Sequence, residues 1–115
     1  MNPRPKRLTP AMFQILVAVG AGEKHGYAIM QDLDSLGGPQ MGPGTLYRSI
    51  KLLLDQGFLE ETERPAEDDP RRRYYRVTDS GAAVVAAEAD RLEKLVGRAR
   101  SHGLLHRGPT APETG

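Results

Sequence analysis

Helical periodicity in this chain stops at Gly57, gives way to strand-like alternation, and resumes at Thr78. Upstream of the break, apolar residues recur every three or four positions in three separate stretches, each closed by glycine. That pattern predicts several short helices rather than one long one. Thr9-Pro10 opens the first, with a Thr N-cap and then proline at the first helical position. Leu8, Met12, Ile15, Leu16 and Val19 form its apolar stripe, and Phe13 and Val17 add apolar surface on a second face. A helix apolar on two faces is either central or shared with a partner chain. The second helix is expected from about His25 to Leu36, carrying Ile29, Leu33 and Leu36 and broken by Gly37-Gly38-Pro39. The third opens at Gly42-Pro43-Gly44 and buries Leu46, Ile50, Leu53 and Leu54. Gly57 suits the left-handed residue that ends it.

Phe58 to Thr62 is a short β-prone run, and Glu63 to Pro70 is an acidic, proline-containing loop. Arg72 to Val77 returns as a second strand, with Arg73, Tyr75 and Val77 on one face and Arg72, Tyr74 and Arg76 on the other. Thr78 caps the last helix, with Asp79 in its first turn. In that helix Ala82, Val85, Ala89, Leu92, Val96 and Ala99 are spaced alternately three and four apart, an alanine-rich heptad seam. Left alone it would meet water, so it predicts a dimer contact formed by Val85, Ala89, Leu92, Val96 and Ala99 together with Phe13 and Val17. From Ser101 onward the composition reads as a frayed tail. The organisation is therefore a basic arm (1–8), a winged helix-turn-helix domain (9–77), a dimerisation helix (78–101) and a flexible tail (102–115). The fold class is mainly α with a small β-hairpin, α+β. In such a fold the third helix enters the major groove and the hairpin wing touches the flanking backbone.

The bulk composition narrows the chemistry. A chain of 115 residues with 38% hydrophobic and 27% charged content can fold as one domain. It has no cysteine, which excludes disulfides, thiolate metal sites and cysteine nucleophiles. No run of about 20 apolar residues is present, and the basic Met1–Arg7 segment lacks the design of a signal peptide, so a cytoplasmic protein without a membrane span is expected. The formal net charge of +1 is small for a nucleic-acid binder. The charge is segregated, however. Arg4, Lys6 and Arg7 form one basic group and Arg71, Arg72, Arg73 and Arg76 another, while acids concentrate between Glu60 and Asp69.

On the third helix, Thr45, Arg48, Ser49 and Lys51 are the residues expected to reach base edges or phosphates. The alternative for them is an ordinary solvated helix face. Tyr47 can place its hydroxyl on a phosphate while its ring packs on the domain. Arg71, Arg72 and Arg73 are expected to neutralise phosphates, with charge pairing to Glu60, Glu61 and Glu63 as the alternative. Glu67-Asp68-Asp69 would repel phosphate, so the wing tip is expected to swing clear. His25 reads as a packing or capping residue. His102 and His106 lie four apart, but Gly103 interrupts them and no carboxylate is near, so no metal site is expected. No catalytic constellation is present, and no cofactor is implied.

Taken together, His25-Gly26-Tyr27-Ala28-Ile29, Gly42-Pro43-Gly44-Thr45-Leu46-Tyr47, Gly57-Phe58-Leu59 and Arg73-Tyr74-Tyr75-Arg76-Val77-Thr78 resemble the PadR-like transcriptional regulators. The resemblance runs from about Leu8 to Val96. It implies a winged helix with a C-terminal dimerisation helix, a homodimer on an inverted-repeat operator in double-stranded DNA, usually repression, and release by a small-molecule effector. By position, Thr45 and Tyr47 match the DNA-facing segment, and Arg72 and Arg73 match the basic wing. Arg48-Ser49 stands where Pro-Ala is common, and Lys24 replaces a frequent proline. The tryptophan with which multidrug-binding relatives stack their ligands is absent. A winged helix can also serve as a protein–protein adaptor, because fold does not fix function.

Overall fold

The computed structural model describes residues 8–22, 24–35, 41–63 and 65–105. In chain order the elements are α1 (Pro10–Gly20), β1 (Lys24–His25), α2 (Gly26–Ser35), α3 (Pro43–Asp55), β2 (Leu59–Thr62), β3 (Tyr74–Val77) and α4 (Asp79–Ser101). Three strands form one antiparallel sheet in the order β1-β3-β2. Lys24 lies opposite Tyr75, and Leu59 lies opposite Val77. The winged-helix arrangement is therefore present, with an additional short strand ahead of α2.

Local signals set the helix ends. The Thr9 hydroxyl accepts the Met12 N–H at 3.1 Å and starts α1 at Pro10. Thr78 does the same for α4 through the Gly81 N–H at 3.0 Å, and its own hydroxyl donates to the Gly57 carbonyl at 2.5 Å. That second bond ties the start of α4 to the end of α3. At Gly57 the backbone is left-handed, with φ of 78°. The Gly57 N–H returns to the Leu54 carbonyl and the Phe58 N–H to the Leu53 carbonyl, the paired bonds that satisfy a helix C-terminus. The same pair closes α4 at Gly103 and Leu104, onto Arg100 and Ala99. Helix α4 thus ends at Ser101, and most of the tail expected beyond it lies outside the described residues. His106 lies outside the described residues, as does Leu36.

Ile15, Leu16, Ile29, Leu46, Ile50 and Leu53 are fully buried, so α1, α2 and α3 share one core. Leu59 and Tyr75 seal it from the sheet side. Leu8, the last residue of the expected arm, is itself buried in this core. By contrast, α4 buries only Gly81 fully. There the helix passes so close to the chain that a Cβ would stand 2.2 Å from the Phe58 carbonyl oxygen.

Candidate nucleic-acid interface

Helix α3 turns Leu46, Ser49, Ile50 and Leu53 inward. Its outer face carries Thr45, Tyr47, Arg48 and Lys51, all exposed. Ser49 is a correction to the sequence expectation. Its side chain is 7% exposed and belongs to the packed face, so it is unavailable to a ligand on the outer surface. Helical spacing carries the reason: position 49 is three after Leu46 and four before Leu53. Gly42 caps α3 without any side-chain hydrogen bond, so among the described residues the first-turn N–H groups have no side-chain partner. Lys51 pairs loosely with Asp55 at 3.5 Å. Among the described residues Arg48 has no ion-pair partner.

Tyr47 leans from α3 across the start of α2. A Cβ at Gly26 would lie 2.5 Å from its hydroxyl oxygen, so the absence of a side chain at Gly26 makes room for the ring. Beside it His25 accepts the Ala28 N–H through Nδ1 at 3.3 Å, capping α2, and sets its ring edge-on to Tyr74 at 5.2 Å. Sequence reasoning anticipated that capping role. Tyr27, Tyr47, Tyr75, His25 and Arg71 to Arg73 line a cleft of about 370 Å³ between the helix-turn-helix and the wing. A concave surface with three guanidinium groups and phenolic hydroxyls suits an anionic ligand.

The wing departs from expectation in where its second strand starts, and its charged groups pair with one another. β3 begins at Tyr74 rather than Arg72, because a turn holds the Arg72 N–H on the Asp69 carbonyl at 3.0 Å. The acidic tip is held against the arginines beside it. It folds back, and Asp68 accepts a hydrogen bond from the Tyr74 hydroxyl, one from Arg72 at 3.1 Å and one from the Asp69 N–H at 2.7 Å. Arg71, Arg72, Arg73 and Arg76 are each paired, two of them with Glu60 and Glu61 as the alternative reading of the cluster has it. Arg71 meets Asp69 at 3.2 Å, Arg72 meets Asp68 at 3.1 Å, Arg73 meets Glu61 at 2.9 Å and Arg76 meets Glu60 at 2.5 Å.

These contacts move titrations. The Tyr74 hydroxyl, followed by the Asp69 N–H, holds the Asp68 carboxyl below its ordinary value of 3.8. The Arg71 guanidinium does the same for Asp69. Reciprocally, the bond to Asp68 raises the Tyr74 hydroxyl, and the bond to Glu61 raises Arg73. Because the folded values lie below the unfolded ones, the ionised contacts act fully above about pH 3.8 and are lost as pH falls through the lowered values. A carboxyl-carbon NMR titration should therefore find Asp68 and Asp69 titrating below the ordinary aspartate value of 3.8. Ordinary midpoints for both would show that the tip is open in solution.

The family model described as the Transcriptional regulator PadR-like family matches residues 15–87, from the middle of α1 into the first half of α4. The chain belongs to the PadR-like family of transcriptional regulators. This PadR-like chain is 36% identical over 81 residues to Transcriptional regulator Rv3488 of Mycobacterium tuberculosis, covering 70% of this chain and 74% of that protein. It is 35% identical over 81 residues to Transcriptional activator GvpE2 of Halobacterium salinarum, covering 70% of this chain and 39% of that protein. It also resembles the solved structure of a PadR family transcriptional regulator from Eggerthella lenta, with a TM-score of 0.68 and 25% identity over 83% of this chain and 82% of that one. The chain spans 26–39% of the length of three of the curated relatives it matches.

In this PadR-like regulator the expected dimer residues divide into two sets. Val17 and Val96 are each 45% exposed, and the neighbouring Leu95, missed by the seam pattern, is 49% exposed. Ala89, Leu92 and Ala99 are half-buried. Phe13 and Val85 are partly buried and pack against the chain's own core. Between α1 and α4 a groove of about 380 Å³ is lined by Leu8, Pro10, Phe13 and Leu92, with the Glu88–Arg91 pair at its edge. Among the described residues no cluster of three metal-ligating side chains occurs, and no helix is long and apolar enough to cross a membrane.

Proposed function

We propose that this PadR-like regulator binds double-stranded DNA as a homodimer and represses transcription from an inverted-repeat operator. The observation that carries the reading is the outer face of α3. Thr45, Tyr47, Arg48 and Lys51 stand exposed there, and Arg48 is unpaired among the described residues. An exposed, uncommitted guanidinium near the start of a recognition helix is suited to bidentate contact with guanine. Thr45, Tyr47 and Lys51 then meet phosphates, and the cleft bounded by Arg71, Arg72 and Arg73 receives the flanking backbone. Two such helices related by a two-fold axis read half-sites one turn apart, ~34–36 Å. The exposed Val17, Leu95 and Val96 supply the apolar contact between protomers. A small apolar effector entering the groove between α1 and α4 would change that contact and release the DNA.

The test is an anisotropy titration of the upstream fragment against random duplex at several salt concentrations. Arg48→Ala should cost about 1–3 kcal/mol on the operator and relax its preference at one base position, whereas Lys51→Ala should weaken all sequences alike and reduce the salt slope by about one. An Arg48→Ala protein with unchanged affinity and preference would place α3 outside the groove. The internal pairing of the wing arginines favours a second reading, a protein–protein adaptor. That reading predicts no preference for the upstream fragment over random duplex. A reporter driven by the same fragment separates repression from activation.

A further inference from the structure

We propose that Glu61, Asp68 and Asp69 are specificity-determining residues, which hold the wing arginines as internal ion pairs and so suppress binding to DNA outside the operator. The inference rests on the DNA-binding reading and adds to it a role for acidic residues that never touch DNA. Each carboxylate has a defined arginine. Asp69 takes Arg71 in a two-point grip, Nε to Oδ1 and Nη2 to Oδ2, both at 3.2 Å. Asp68 takes Arg72, and Glu61 reaches from β2 to Arg73 at 2.9 Å. Asp68 is anchored better than the arginine it holds. Asp68 has a side chain only 15% exposed and is also bound by the Tyr74 hydroxyl and the Asp69 N–H. The Arg71 and Arg73 side chains are 89% and 71% exposed.

A free arginine on a DNA-binding surface attracts any phosphate and releases a condensed counterion on contact, which gives sequence-independent affinity with a steep salt dependence. An arginine already neutralised by a fixed carboxylate presents little net charge to a passing duplex. It must exchange one anion for another. That exchange is favourable only when a phosphate is held at the right place, and docking of α3 in register is what would hold it there. The wing then adds affinity on the operator and little elsewhere, which raises the ratio that decides occupancy among many competing sites. The formal charge of only +1 is consistent with a binder of this kind.

The test uses the full chain and the near-isosteric variants Glu61→Gln, Asp68→Asn and Asp69→Asn. Glu67→Gln is the control: it removes the same charge from the same loop, but among the described residues Glu67 holds no arginine. Affinity for the upstream fragment and for random duplex is measured across a salt series, with thermal melting to confirm folding. Each of the three variants should steepen the random-duplex slope by about 0.9. Each should tighten random-duplex binding roughly twofold to fivefold, with a smaller gain on the operator, as expected for release of one exposed ion pair. Glu61→Gln alone decides the matter if the aspartate variants disturb the loop, because Glu61 lies on β2 and outside the turn. If wild type binds and every variant tracks Glu67→Gln, the inference is overturned and the DNA-binding reading stands. If wild type binds neither duplex, both fail.

Discussion

Gly81→Ala should lower the stability of this protein by about 3 kcal/mol, a fall in melting temperature of more than about 10 °C for a domain of this size. The added methyl would lie 2.2 Å from the Phe58 carbonyl oxygen, 2.9 Å from Val77 Cγ1 and 3.0 Å from the Phe58 carbonyl carbon. Two of those three atoms are backbone, so no rotamer change can clear them. Alanine ordinarily improves a helix by about 1 kcal/mol over glycine. Here the overlap outweighs that gain, since α4 would have to lift from the end of α3 and strain the Thr78 bond to Gly57. Gly97→Ala, in the same helix with nothing within 4 Å of the new methyl, should show the opposite sign, a gain of about 0.5–1 kcal/mol. Calorimetry on the two variants checks both. Equal melting temperatures would show that α4 does not seat on Phe58.

On the proposed dimer and operator, Val96→Asp should separate the protomers and reduce affinity for an inverted repeat by at least about 100-fold, because two linked half-site contacts become two separate ones. Val96 is 45% exposed in the protomer, so the charge has little effect on the protomer's own fold. Light scattering after size exclusion reports the assembly, and an operator titration reports the affinity. A Val96→Asp protein that remained dimeric with unchanged affinity would move the protomer contact away from the exposed face of α4.

How legible the molecule was from its residues depended on how local each cause was. Thr9, Thr78 and Gly57 act through bonds within four or five residues, and the helix ends fall where those residues placed them. The buried stripes of α1 and α3 follow from spacing alone. Ser49 was misread because its polarity was weighed above its position, although Leu46 and Leu53 already set the face it occupies. Strand β1 could not be read. It is two residues long, and its partner Tyr75 lies about fifty positions away in sequence, so no periodicity announces it. The wing pairs were readable only as alternatives, because composition does not decide whether an arginine faces a carboxylate or solvent. The fold-back of Asp68 depends on Tyr74 and on a turn at Asp69, and strand alternation says nothing about either. Phe13 and Val85 pack partly on the chain's own core, a tertiary contact that helical spacing does not reveal.

The placement of β3 between β1 and β2 has a bearing on solubility. A sheet invites other chains at its edges, where unpaired N–H and carbonyl groups can template a foreign strand. One edge here is β1, only two residues long, and the other is β2, four residues long with Glu60 and Glu61 within it. Both are shorter than the usual strand of about 5–6 residues. Neither gives an incoming segment enough backbone to zip onto, and the second confronts it with two adjacent negative charges. Cross-strand growth is thereby disfavoured at both margins of the sheet.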